Sequence, residues 1–350
     1  MSDKLLNAGD DLHDWGNRER NTLVLNYTAQ CPLSCDFCCY GCNPQRKEKM
    51  DFSRALNLIQ ESAPFDDFTS VAFTGGEPLL FPDEIVNLAG AAKRAGKNST
   101  IATAAHWASS KQAAKDLIER LVESGLNRLN VSFDGSHEKY VPRGNIYNVV
   151  NAIQDFGIPL YIISTHYSET DFNQEDLSDH AHGIFHFRKL VAKAGMATKA
   201  KIDYGDQPSF EQMSCYRRVY HDLVVFYDGK AYPCCSTFNR ASRGLVLGNS
   251  WTDGFAQLRI RLLGSVMLRA MKGSFSTFIA VLERYDEKCA EDVRALENNA
   301  GPCGFCNKIF KNPAMYERVY AAFERAEDEL FRHAVEGLRT AGVTEVELTP

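Results

Sequence analysis

The sequence predicts an α/β protein built on a parallel sheet, and two observations carry that expectation. From Asn21 to about Asp203 short β-rich runs alternate with helical patterns, as repeated βα units do. After Gly205 the alternation stops and a cysteine pattern replaces it, which sets off a second, smaller module. A chain of 350 residues, 44% hydrophobic and 24% charged, has room for both.

Strands are expected near 23–29, 69–74, 98–104, 128–133, 159–165 and 198–203, and helices near 52–62, 83–95, 110–124, 145–156 and 174–194. The helix near 110–124 places Ala114, Leu117, Leu121 and Val122 on one face and runs into Gly125, a suitable C-terminal stop. Five or six such units make a partial, open barrel, whose working residues sit at the carboxyl ends of strands. Beyond it, Leu223 to Cys234 reads as a hairpin with Asp228-Gly229 at the turn. A helical insertion follows within 252–300, running from Phe255 to about Leu296, and a last amphipathic helix from about Pro313 to Thr340. The expected divisions are an N-terminal extension 1–20, the barrel 21–205, the cysteine-bearing module 206–312 and the C-terminal helix 313–350.

The net charge is −6 with lysines and arginines scattered among carboxylates, so there is no basic stripe for nucleic acid. The first residues lack a signal-peptide layout, and nowhere do about 18 apolar residues run together, so a cytoplasmic protein without a membrane span is expected. Eleven cysteines in tight clusters, without an export signal, point to iron-sulfur ligation rather than disulfides.

Cys31, Cys35 and Cys38, with Phe37 before the last, form C-x-x-x-C-x-F-C shortly after the apolar run Leu23 to Leu25. Three thiolates so spaced can hold three irons of a 4Fe-4S cube and leave the fourth open; a zinc site is the alternative. A second motif, Phe73-Thr74-Gly75-Gly76-Glu77-Pro78, follows the next expected strand. Together they resemble the radical S-adenosylmethionine (SAM) superfamily. The resemblance implies that the open iron chelates SAM, with Gly76 and Glu77 at its amino group, Gly75 allowing close backbone approach, and Phe37 beside the adenine. It further implies ribose or carboxylate contacts from Ser132, Asp134 and Arg143, and less so from Thr103 and His106. Each of these is equally readable as an ordinary loop or capping residue. Where the family often has Ser-Asn-Gly this chain has Thr103-Ala104-Ala105. Cys39 and Cys42, beside Tyr40 on the rim of the first loop, read as incidental or buried thiols, since ligation by either would displace SAM.

Cys215, Gly229, Cys234 and then Cys303-x-x-Cys306 resemble the twitch subdomain, the shorter relative of the SPASM domain. That resemblance implies one auxiliary 4Fe-4S cluster held by Cys215, Cys234, Cys303 and Cys306; a structural zinc on the same thiolates is the alternative. Cys289, in an expected helix from Arg284 to Leu296, reads as a bystander. Cys235 adjoins Cys234, and in an extended strand the two would point to opposite faces. Cys235 is then either a hydrogen-atom donor facing the barrel mouth or a buried inert thiol.

Taken in order, these motifs look like the radical SAM peptide epimerases. The resemblance implies a ribosomal precursor peptide as substrate, a reductant such as flavodoxin or ferredoxin, and Cys235 as the donor that completes an L-to-D inversion. The rivals are a maturase forming thioether or carbon-carbon links, and a small-molecule dehydrogenase or decarboxylase. The first 30 residues leave no room for a winged-helix leader reader, so a bound peptide is expected to lie between the barrel mouth and the insertion from Phe255 to Leu296.

Overall fold

The computed structural model describes residues 21–168, 183–202, 212–217, 220–296 and 301–340. The N-terminal extension, the first part of the expected helix 174–194 and the division near 205 lie outside the described residues.

The chain builds β1 (Asn21–Thr28), α1 (Phe52–Ser62), β2 (Phe68–Gly75), α2 (Pro82–Arg94), β3 (Asn98–Thr103), α3 (Lys111–Glu123), β4 (Leu126–Ser132), α4 (Arg143–Ile153), β5 (Leu160–His166) and β6 (Ile184–Leu190). These six strands lie side by side in sequence order, every neighbouring pair parallel. The sheet does not close: β6 is one edge, and on the far side of β1 it continues through β7 (Asp222–Phe226), β8 (Lys230–Tyr232) and β9 (Gly248–Asn249). β7 runs parallel to β1, and β7, β8 and β9 pair antiparallel, so the expected hairpin extends the barrel sheet. Gly229 supplies its turn at φ +83°, a conformation that L side chains avoid.

One face of the central strands is apolar and packed under the helices: Leu23, Leu25, Val71, Phe73, Ile101 and Leu129, in register across the sheet, are fully buried, while the other face carries polar residues such as Asn26, Thr100 and Asn130. Local chemistry sets the helix ends. Asp51 caps α1 by accepting from Arg54 N–H at 2.9 Å, and Ser110 caps α3 by accepting from Ala113 N–H at 3.1 Å. α3 ends where expected: Gly125, at φ +106°, returns its N–H to Val122 at 2.9 Å. Its fully buried residues are Ala114, Ile118 and Leu121, with Leu117 and Val122 only partly covered.

The sixth strand is not where the sequence placed it. Ile184–Leu190, expected to end a helix, pairs with β5 along its whole length, and the expected strand 198–203 is instead a 3-10 turn at Gly195–Lys199 followed by irregular chain. Cross-strand packing decides: the Tyr161 ring sits between Phe185 and Phe187, with centroids 5.3 and 5.0 Å away.

The insertion is helical as expected, in four pieces: α5 (Phe255–Gly264), α6 (Val266–Gly273), α7 (Phe275–Tyr285) and α8 (Glu287–Arg294). Cys289 is buried in α8. Then come α9 (Gly301–Phe310), which carries Cys303 and Cys306, and α10 (Pro313–Thr340), where Phe323 stacks on Phe278 of α7 at 5.3 Å. α5 docks at the entry to β2, with Phe255 against Phe65 and Phe68 and Arg259 paired with Asp67 at 3.0 Å. That is the end of the sheet opposite the Cys31–Cys42 loop, so α5 does not line the barrel mouth.

Candidate functional site

Both motif loops leave the carboxyl ends of adjacent parallel strands, β1 and β2, and the structure locks them together through the main chain. Gly76 N–H donates to Thr28 O at 2.6 Å and Glu77 N–H to Gln30 O at 2.8 Å. A Cβ on Gly75 would sit 2.5 Å from Thr28 O, and one on Gly76 would sit 2.1 Å from Gln30 O. The close approach these glycines permit is therefore first an approach of one loop to the other.

Cys31, Cys35 and Cys42 share a small apolar pocket with Leu33, Ala104 and Val141, and Phe37 and Cys38 pack against it. Burial pushes the Cys31 and Cys35 thiols up to about 12, and the charges of neighbouring cysteines push the same way. Cys38 goes the other way, down to about 6, held by the Cys42 thiol and by the backbone N–H groups of Cys42, Tyr40 and Gly41 against the effect of burial. Cys42 N–H lies 3.3 Å from its sulfur. The loop is fastened on its far side as well. Asp36 accepts from Ser136 Oγ at 2.6 Å and Lys139 Nζ at 3.2 Å, Tyr140 donates to Ser34 O at 2.9 Å, and Met196 N–H donates to Cys38 O at 3.0 Å. Phe37 stands between His137 and Tyr167, with centroids 5.5 and 6.3 Å away.

Glu77 is wholly enclosed. Its carboxylate accepts from Leu79 N–H at 3.0 Å, Ala104 N–H at 2.7 Å and Thr103 Oγ1 at 2.9 Å, with His106 Nδ1 at 3.7 Å. The side chain thus ties the β2 loop to the end of β3, and what the loop turns outward is main chain. Thr103 Oγ1 is the hub, for it also accepts from Ala105 N–H at 3.1 Å and Trp107 Nε1 at 3.0 Å. Ala105 adopts φ +59°, the left-handed conformation, at the place where the related pattern has glycine.

Asp134 is equally enclosed after β4. It accepts from Ser136 N–H at 3.0 Å and Thr165 N–H at 3.1 Å and lies 2.9 Å from His137 Nδ1. Burial alone would raise this carboxyl, but His137 and the N–H donors hold it below the usual range. Arg143 opens α4 and is paired with Glu138 at 3.0 Å, while Ser132 ends β4 partly buried. Ser132, Asp134, Thr103 and His106 thus gather at the carboxyl ends of β3 and β4, with Asp134 and Thr103 engaged inside the protein.

The C-terminal cysteines also gather. Burial raises the thiols of Cys234, Cys303 and Cys306, and each also feels the charge of Cys215. β8 stops at Tyr232, so strand alternation does not reach Cys234 and Cys235. Asn239 Nδ2 turns the chain by donating to Cys234 O at 2.6 Å, and both Cys234 and Cys303 feel the charge of Cys235. Of the eleven cysteines only Cys235 is exposed, with Arg217 Nη2 3.2 Å from its sulfur. Desolvation there pushes the thiol up, and Arg217 pulls it back. Tyr40 joins the two cysteine regions: its ring meets Phe226 edge-on at 5.1 Å and its hydroxyl donates to Ser236 O at 3.0 Å.

Residues 25–181 match the Radical SAM superfamily. The chain carries a radical SAM domain. The putative peptide biosynthesis protein YydG of Bacillus subtilis (strain 168) is 23% identical over 318 residues, which cover 89% of this chain and 98% of that protein. The PqqA peptide cyclase of Gluconobacter oxydans (strain 621H) is 30% identical over 112 residues, 32% of this chain and 30% of that one. Among solved structures, BtrN in complex with AdoMet and 2-DOIA is similar over 73% of this chain and 87% of its own, at 15% identity and a TM-score of 0.44.

The radical SAM domain at residues 25–181 implies a 4Fe-4S cluster and SAM. The donor chemistry of the first loop fits the cluster, because Cys31 and Cys35 share an apolar pocket with Cys38 packed against it, and the first two are costly to ionise without a cation to receive them. Among the described residues no three His, Cys, Asp or Glu side chains converge closely enough to hold a single metal ion. No helix of the described residues is long and apolar enough to cross a membrane. Sequence reasoning missed the fastenings: Asp36 to Ser136 and Lys139, Thr103 beneath Glu77, and Arg217 at Cys235. Only His137, three residues after Asp134, left a local signal.

Proposed function

We propose that this enzyme inverts an L-residue to a D-residue within a ribosomally made peptide, with residues 206–312 acting as a twitch-like module. In this reading Cys31, Cys35 and Cys38 hold the first cluster. Gly75, Gly76 and Glu77 present main chain to SAM, Phe37 flanks its adenine, and Ser132, Asp134 and Arg143 serve its polar groups. SAM bound at the reduced cluster supplies a carbon-centred radical able to remove an α-hydrogen from the substrate. Cys215, Cys234, Cys303 and Cys306 hold the auxiliary cluster. Cys235 breaks its S–H bond to deliver a hydrogen atom to the α-carbon from the face opposite the abstraction. The sulfur radical left behind takes one electron and one proton from an external reductant of the flavodoxin or ferredoxin class.

The observation that carries this is the pairing of a gathered set of four half-buried thiols with a fifth, Cys235, which is exposed. The likeness to YydG along nearly the full length of both chains supports a peptide as substrate. Tyr140 and Met196, both exposed and both fastened to the Cys31–Cys42 loop, are the apolar rim on which the peptide rests. The test is turnover of a candidate peptide in heavy water. Epimerisation places one deuterium on the α-carbon of a D-residue and otherwise leaves the peptide mass unchanged. A loss of two mass units identifies cross-linking or oxidation instead and overturns the reading. Cys235→Ala should keep 5′-deoxyadenosine formation and lose the D-residue; an unaltered yield of D-residue removes Cys235 from its role.

A further inference from the structure

Lys272 is a buried cation without a carboxylate partner. It lies in α6 with 4% of its surface exposed, its Nζ 2.8 Å from His221 Nδ1 and 3.2 Å from Tyr220 O. Both are neutral acceptors when His221 is uncharged, and burial together with the Lys272 charge pushes His221 down to about 4. Nδ1 is then the acceptor and Nε2 carries the proton. Among the described residues no Asp or Glu forms an ion pair with Lys272. Asp222, whose charge acts on Lys272, is paired with Arg217 Nε at 3.0 Å. Buried ammonium groups are rare unless something compensates their charge.

What lies beyond Lys272 is the C-terminal cysteine group. The preceding residue, Met271, has its sulfur 3.5 Å from Cys306 Sγ, which fixes this end of α6 against the group. Burial pulls the Lys272 ammonium below the usual lysine range, and the charges of Cys215 and Cys234 act against that pull. Arg217 addresses the same group: its N–H donates to Cys215 Sγ at 3.3 Å, and its guanidinium reaches Cys235.

We propose that Lys272, assisted by Arg217, is the fixed counter-charge of the Cys215, Cys234, Cys303 and Cys306 site, present to balance its thiolates and to favour the reduced state of the cluster they hold. The inference rests on the reading that these four thiols bind a cluster. Each electron added to a thiolate-ligated cluster increases its negative charge, so a nearby cation in a low-dielectric wall stabilises the reduced form and raises the potential.

The test uses full-length protein reconstituted anaerobically, with Cys31, Cys35 and Cys38 replaced by alanine so that only the second site contributes signal. Iron per chain and an EPR-monitored redox titration are compared for this background and for the same protein carrying Lys272→Met or Lys272→Arg. At the potential where the parent cluster is half reduced, Lys272→Met should show a reduced-to-oxidised ratio about tenfold lower, a shift of about 59 mV for one electron. Lys272→Arg should restore the parent ratio. Iron lost from Lys272→Met but kept by Lys272→Arg also supports a counter-charge. An unchanged ratio in Lys272→Met, or iron lost equally from both variants, overturns the role of Lys272. Absence of iron in the parent itself overturns the four-thiol reading instead, which separates the two failures.

Discussion

Thr103→Val tests whether the glycine-glycine-glutamate loop is held from beneath by a single hydroxyl. Valine keeps the shape of threonine but removes Oγ1, which donates to Glu77 and accepts from Ala105 N–H and Trp107 Nε1. Losing a hydrogen bond to a carboxylate costs about 2 kcal/mol, and stranding the N–H of fully buried Ala105 costs about 1 more. Trp107 is only partly buried and can turn to water, so its loss adds about 0.5 kcal/mol. The extra buried methyl returns about 0.8 kcal/mol, leaving a net loss near 3 kcal/mol. Thr103→Ser keeps every one of these hydrogen bonds and forfeits one methyl, for about 1 kcal/mol. Guanidinium unfolding of anaerobically purified protein should therefore rank wild type above serine and serine above valine. A valine variant as stable as the serine one would refute the hub.

Three further outcomes follow from the same geometry. Ala105→Gly should leave stability within about 1 kcal/mol of wild type, since relief of a left-handed alanine, worth about 1–2 kcal/mol, is offset by the glycine's entropy and by loss of a buried methyl worth about 0.8 kcal/mol; a midpoint lowered as far as in Thr103→Val would contradict this. Gly76→Ala places a Cβ 2.1 Å from Gln30 O, so the two loops must part, and iron per chain after reconstitution should fall well below that of wild type. His221 is pushed down to about 4 in the folded protein by burial and by the Lys272 charge, against an unfolded value of about 6.5, so the unfolded chain binds its proton first and stability drops as pH falls from 6.5 towards 4, by about 1 kcal/mol once solvent screening of the half-buried ring is allowed for. His221→Gln should flatten that part of the stability profile, and a slope unchanged by the substitution would remove His221 as its source.

What could be read from the sequence was local in the chain. The stop of α3 at Gly125 depends on one residue's freedom at positive φ, and the hairpin turn at Gly229 likewise, so both were legible. The family match at residues 25–181 was legible because its motif, Cys31, Cys35 and Cys38 with Phe37, is a matter of spacing within one loop. β6 was not, because it is an edge strand whose side chains are mostly half-exposed and whose pairing is decided by Tyr161, more than twenty residues away. Strand alternation failed at Cys234 and Cys235 because β8 ends at Tyr232 and Asn239 then captures the Cys234 carbonyl. Glu77 was legible as a site residue but not as an enclosed one, since its partners come from the end of a different strand.

The fastenings that escaped the sequence share a physical purpose. A loop that must offer three thiols to one inorganic group cannot rely on a hydrophobic core of its own, because ligands and backbone occupy its interior. It is held instead from four sides: by β2 through Gly76 and Glu77, by the segment after β4 through Asp36 and Tyr140, by the turn after β6 through Met196, and by the hairpin through Tyr40. Each is a polar tie between segments far apart in sequence, and each acts on a residue within the loop that is not itself a proposed ligand or on a main-chain carbonyl. The thiols are thereby left available while their positions are fixed, which is the preorganisation a metal-binding loop needs before its metal arrives. The tie through Tyr40 also links the first cysteine loop to the second cysteine region, beside the link the sheet makes through β1 and β7.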